Sequence, residues 1–210
     1  DVSGSPGPLM VDVVALGRAG RPVQRNGAAP GDHVWVTGSL GASAAAVHIW
    51  QSGAEPTPEL RARFAVPVPR IEVAHCLVEH EVVDAMIDLS DGLAGDLAHL
   101  AAASGVEITI ETDRVPVDDL VVQALGLHDA LDLALHGGED YELSFVTAPA
   151  AVDVDYFAER FGLRVTRVGT VNAGEGVWLR SSDGTRTEAS AGGFDHWAFE
   201  PENSPSTGAA

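Results

Sequence analysis

Lysine is absent from this 210-residue chain, and all twelve of its basic residues are arginines. That excludes Schiff-base chemistry through a lysine amine and the lysine-dependent phosphate loop G-x-x-x-x-G-K-[ST]. Any phosphate chemistry must then use metals and arginine. Cysteine is nearly absent too: Cys76 alone rules out an internal disulfide and a cysteine-rich zinc site, and reads as a buried, inert thiol. No apolar run approaches the roughly 18 residues of a membrane span, and the first residues lack the charged and apolar regions of a signal peptide. The expectation is a cytoplasmic protein that does not enter membranes. Base is scarce beside acid, 12 against 31, for a formal charge of −19. Nucleic-acid binders gain affinity from clustered Lys and Arg, so no nucleic-acid partner is expected and cations suit the surface better. Most of the acids read as solvated surface, and only those clustered at special backbone positions point to chemistry.

A hydrophobic content of 45% supplies a core for one large or two small domains. Strand and helix signals alternate along the chain. A strand is expected at Leu9–Leu16, after a Gly/Pro/Ser loop; it needs a partner, which suggests a preceding part of the protein. "PGDHVWVTGSLGASAAAVHIW" gives a turn, a strand over His33–Thr37 and a helix over Ala42–Trp50. Gly38 and Gly41 between them fit either a tight turn or, more loosely, a phosphate-cradling loop. A proline-rich connector carries a short helix at Glu59–Phe64, and Arg70–His80 is again helical. Beyond Gly105, a helix stop, come a strand "VEITI", a helix "VDDLVVQAL", a helix "VDVDYFAERFG", a strand "RVTRVGTV" and a hairpin turning at Asp183 and Gly184. The fold class is α/β (α+β), with a mixed sheet packed by helices. The polar tail 201–210 is expected to be disordered.

"MIDLSDGLAGDLAHL", Met86 to Leu100, crowds Asp88, Ser90 and Asp91 onto a strand-to-helix junction, more polar groups than one helix cap requires. Two carboxylates about 5.5 Å apart repel by roughly 3 kcal/mol at an effective dielectric near 20, and a divalent cation is an economical compensator. Magnesium takes oxygen ligands, commonly one or two carboxylates plus water and phosphate oxygens, to which Ser90 and a helix N-terminus could also donate. Zinc is not favoured, because His75 and His80 are five apart and do not share a helix face. A second junction, "ALHGGEDYELSFVT", sets Glu139 and Asp140 after two glycines, which fits a ligand approach or a turn with solvated acids. Proton transfer with Asp88 or Glu139 as general base remains the rival chemistry. Ser90 lacks the G-x-S-x-G elbow of a serine hydrolase, and His99 and His136 read as packing or surface residues. Phe194 and Trp197 in "GGFDHW" either close a core or stack on a flat ring.

In this order and at about these separations, "MIDLSDGLAGDLAHL", "GGEDYELSF" and "GGFDHW" resemble the second half of the thiamine-monophosphate kinase family, within the aminoimidazole-ribonucleotide-synthetase-like superfamily. "GRPVQRNGAAPGDHVWVTGSLGASAAAV" is similar to the family's preceding segment, and Asp1 matches the aspartate of its G-G-D start. The resemblance implies ATP-dependent phosphorylation of thiamine monophosphate to thiamine diphosphate with Mg2+, by in-line transfer. It implies metal-binding roles for Asp1, Asp88 and Asp91, ATP contacts for Asp1, Arg25 and Ser90, and substrate contacts for Glu139 and Trp197. It further implies that residues 1–17 are the last strand of an N-terminal ATP- and metal-binding domain, that 18–200 form the C-terminal domain, that the parent is a homodimer through the missing domain, and that this chain is inactive alone. A sister ATP-dependent synthetase acting on another acceptor, such as selenophosphate synthetase, a hydrogenase-maturation protein or a purine-pathway synthetase, is one alternative. A non-catalytic ligand-binding module is the other.

Overall fold

The computed structural model describes residues 13–149 and 152–189. Asp1, Phe194, Trp197 and the tail expected to be disordered lie outside the described residues, as does most of the strand expected at Leu9–Leu16. Of that strand, Val13–Leu16 is described and belongs to no strand, with Val13, Val14 and Leu16 exposed. An extended segment counts as a strand only when another backbone pairs with it, and none of the described strands does.

The remaining elements follow the sequence pattern closely. They are β1 (His33–Thr37), α1 (Ala42–Gln51), α2 (Pro58–Ala65), α3 (Ile71–Glu79), β2 (Ala85–Asp88), α4 (Leu93–Ser104), β3 (Glu107–Glu111), α5 (Asp119–Leu125), α6 (Leu127–His136), β4 (Leu143–Thr147), α7 (Val154–Phe161), β5 (Val165–Asn172), β6 (Gly176–Arg180) and β7 (Arg186–Glu188). Local chemistry sets several ends. Thr57 caps α2 by accepting the Leu60 N–H, with Pro58 in the first turn; Asp118 caps α5 through Leu120 N–H at 2.9 Å; and Gly105, at φ 64°, stops α4. Helix α6 is an addition to the sequence reading. It buries Ala130, Ala134 and Leu135 and ends against the second glycine-and-acid junction.

The strands form one sheet in the order β2-β4-β1-β5-β3-β6-β7, antiparallel except for the parallel β3–β6 pair. Period-2 alternation splits its two faces into separate cores. Val34 and Val36 of β1, Ile87 of β2 and Val146 of β4 pack with Leu93, Leu97 and Leu100 of α4. On the opposite face Trp35 and Phe145 meet Val73 and Leu77 of α3 and Phe157 of α7. A third cluster, around Leu60, Val121 and Ala130, binds α1, α2, α5 and α6 together. The mixed sheet with helices on both faces is the α/β architecture expected. No described helix is long and apolar enough to cross a membrane.

Candidate functional site

One end of the sheet gathers the C-terminus of β2, the N-termini of β4, α1 and α4, and the C-terminus of α6. The two acid-rich junctions, about fifty residues apart in sequence, meet there as one structure. Leu89 N–H donates to the Glu142 carbonyl at 2.8 Å, Glu139 N–H to Ser90 at 2.9 Å and Tyr141 N–H to Leu89 at 2.9 Å. This backbone zipper leaves no room for side chains at its seam. A Cβ on Gly138 would overlap the Ser90 carbonyl, and one on Gly92, at φ 103°, would press on His136 and Gly137. Glu139 and Tyr141 both hold positive φ, 70° and 51°, a conformation that costs a non-glycine residue and marks this loop as imposed by its surroundings. The Tyr141 hydroxyl donates to Glu139 Oε2 at 3.1 Å; burial, with Glu139's bond and charge, pushes the phenol's pKa up.

Asp88 is exposed at the last position of β2, paired in register with Leu143. Ser90 and Asp91 are half-buried in the following loop, and Ser90 Oγ donates to Asp91 Oδ1 at 3.4 Å. Among the described residues no cation pairs with Asp88, Asp91 or Glu139. Ser90, Asp91 and Glu139 line a cleft of about 680 Å3 whose apolar side is Val47, Phe64 and Leu133. The donor set is all hard oxygen, which matches Mg2+ and not zinc. No three acids or histidines among the described residues converge on one point, so Asp88 and Asp91 would supply only part of a metal's coordination shell. Arg25 follows Gln24, whose carbonyl accepts the Met86 N–H of β2 at 3.0 Å, and its own carbonyl accepts from Ser104 Oγ at 3.3 Å at the C-terminal end of α4.

Three further acids organise the site, of which the sequence reading singled out only Asp140. Asp96, 2% exposed in the first turn of α4, accepts the amides of both Ser90 and Asp91 on one oxygen, each at 3.0 Å. Burial pushes its pKa up to about 6, against the pull of those two hydrogen bonds. Asp140 accepts the Gly41 amide at 2.8 Å at the uncapped start of α1; burial raises its pKa to about 7, while bonds from Gly41 and Ser43 lower it. Glu142 is 4% exposed and is held by Arg70 through Nε at 2.7 Å and Nη2 at 2.5 Å, and by the Thr37 hydroxyl at 2.6 Å. The acids were visible in "DGLAGD" and "GGEDYE", but which face inward depends on the pairing of loops distant in sequence.

These bonds decide two open points. The Ser90 and Asp91 amides face Asp96, so they are not phosphate donors. The amides of Gly38 and Gly41 are also engaged, by the Arg164 carbonyl and by Asp140, which makes that segment a tight turn rather than a phosphate cradle.

Residues 29–180 match the family described as AIR synthase related protein, C-terminal domain. The chain belongs to that family. As an AIR-synthase-related domain it is similar to the thiamine-monophosphate kinase of Salmonella typhimurium, 37% identical over 191 residues that cover 86% of this chain and 57% of the relative. The crystal structure of thiamine-monophosphate kinase from Stenotrophomonas maltophilia K279a superposes with a TM-score of 0.72 at 38% identity, covering 79% of this chain and 54% of that one. AaThiL complexed with AMPPCP and TMP superposes at 0.70 with 32% identity, covering 83% and 54%. The AIR-synthase-related domain thus spans little more than half the length of the relatives it matches.

Proposed function

We propose that this AIR-synthase-related domain is the C-terminal part of an ATP-dependent thiamine-monophosphate kinase, forming thiamine diphosphate. The observation that carries the reading is the zipper joining "DLSDGL" to "GGEDYE", which sets carboxylates with no cationic partner among the described residues, and a serine hydroxyl, on one wall of a cleft. The relatives' names support it, as does a neighbour complexed with AMPPCP, an ATP analogue, and TMP, taken here as thiamine monophosphate. In this reading Asp88 and Asp91 hold Mg2+ together with Asp1. Bound there, the ion would neutralise phosphate charge during in-line transfer, the main demand of that reaction. Ser90 donates its hydroxyl to the ATP phosphates, since its amide is already committed. Glu139 faces thiamine monophosphate, with Trp197 against the substrate ring.

Asp1 approaches ATP from an N-terminal domain ending near residue 17, and Arg25 from the start of the C-terminal domain. Residues 18–200 form the C-terminal domain, the complete protein is a cytoplasmic homodimer, and the present chain alone is inactive. The test is phosphoryl transfer from ATP to thiamine monophosphate by the complete protein. Asp91→Asn is expected to lose most turnover; normal magnesium-dependent turnover by that variant would remove Asp91 from the site. Turnover with another acceptor, and none with thiamine monophosphate, would favour a sister synthetase.

A further inference from the structure

The geometry points to Asp96 as a positioning residue that turns the Asp88–Asp91 loop into a cation-facing wall. A loop at the start of a helix normally offers its amides outward and so attracts anions. Here two of the loop's amides, those of Ser90 and Asp91, point inward instead. The Asp96 carboxylate lies beneath the loop, 2% exposed, and one oxygen takes both the Ser90 and the Asp91 amide at 3.0 Å. The carbonyls on the same stretch are used as well, Ser90's by Glu139 N–H and Leu89's by Tyr141 N–H. With the amides of Ser90 and Asp91 and the carbonyls of Leu89 and Ser90 committed to the protein, these two residues offer the cleft they line the Ser90 hydroxyl and the Asp91 carboxylate. A phosphate therefore has no amide of Ser90 or Asp91 to bind, and at these two residues it meets the serine hydroxyl or a bridging cation.

Asp96 needs no contact with the cation to act. It sets Asp91 by fixing the peptide plane to which that side chain is attached, as second-layer partners commonly fix metal ligands. The inference rests on the kinase reading only for the expectation that a divalent cation binds Asp88 and Asp91.

Backbone amide resonances of this chain, titrated with Mn2+ as a paramagnetic probe, provide the test. In the wild type, broadening is expected to centre on residues 88–92. Asp96→Ala, which removes both acceptors, should raise the Mn2+ needed for half-broadening by about tenfold or more, the range typical of such partners. Asp96→Asn keeps a carbonyl oxygen for the two amides while removing the charge, and should stay within about threefold of wild type. If both variants weaken equally, the charge of Asp96 acts and not its hydrogen bonds, and the proposal fails. It fails equally if Asp96→Ala titrates like wild type, or if Mn2+ leaves residues 88–92 unbroadened. Should Asp96→Ala not fold, Asp96→Glu, which displaces the carboxylate by one methylene, replaces it under the same outcomes. None of these readings needs turnover, so absence of kinase activity in the complete protein would refute the kinase reading and leave the positioning result standing.

Discussion

Replacing Gly138 by alanine adds one methyl group at the seam of the site. Its Cβ would overlap the Ser90 carbonyl oxygen and stand 3.3 Å from the Asp91 Cα, both backbone atoms that cannot rotate away. The loops must part, which strains or breaks the Glu139–Ser90 hydrogen bond of 2.9 Å and disturbs the adjacent Tyr141–Leu89 bond. A net backbone hydrogen bond is worth about 1 kcal/mol, and overpacking a rigid contact costs about 1–3 kcal/mol. The expected destabilisation is therefore about 2–4 kcal/mol. It is read as the shift in urea midpoint at constant m-value, with Gly20→Ala as control because nothing lies within 4 Å of that position. Gly138→Ala within about 0.5 kcal/mol of wild type would show that the two motifs are not held together as described.

Arg70→Ala leaves Glu142 buried without its cation and is expected to cost about 3–5 kcal/mol in chemical denaturation. Glu142→Gln leaves the less deeply buried Arg70 guanidinium an amide oxygen to donate to and still accepts from Thr37, so it should cost less, and the opposite order would refute the ion-pair account. The pKa of Asp140, raised from 3.8 to about 7, makes its contribution to stability fully present below about pH 4 and lost as pH rises through 7. Wild type should accordingly lose stability relative to Asp140→Asn between those limits; a difference constant with pH would contradict the burial. The present chain alone is expected to form no thiamine diphosphate from ATP and thiamine monophosphate, checked by product chromatography, and measurable product would overturn that expectation.

Where structure follows from local chemistry, the sequence was sufficient. His33–Thr37, Ala42–Gln51 and the hairpin at Asp183 and Gly184 declared themselves through alternation, small-residue spacing and turn residues. The gathering of Asp88, Ser90 and Asp91 at the β2–α4 junction was legible for the same reason. Helix α6 escaped although it holds four leucines, because it starts at Gly126, where α5 ends, and the two short apolar patterns run together. The parallel β3–β6 pair and the insertion of β4 between β1 and β2 escaped because non-local pairing leaves no trace in a short window. So did the roles of Asp96, Asp140 and Glu142. An acid reads alike in sequence whether it faces water or accepts two buried amides, and only the fold separates those cases.

The position of β4 in the sheet has a consequence for assembly. Among the described strands β2, which carries Asp88, joins the sheet only through β4, and β4 follows it by more than fifty residues. Closing a loop of that length is slow relative to forming local helices. As the polypeptide grows, Asp96 can take the Ser90 and Asp91 amides early, but the bonds from "DLSDGL" to residues 139–142 wait for β4, so the cleft wall is completed late in folding. A ligand that recognises this wall binds only molecules that have completed the sheet, and its presence would draw the folding equilibrium toward them.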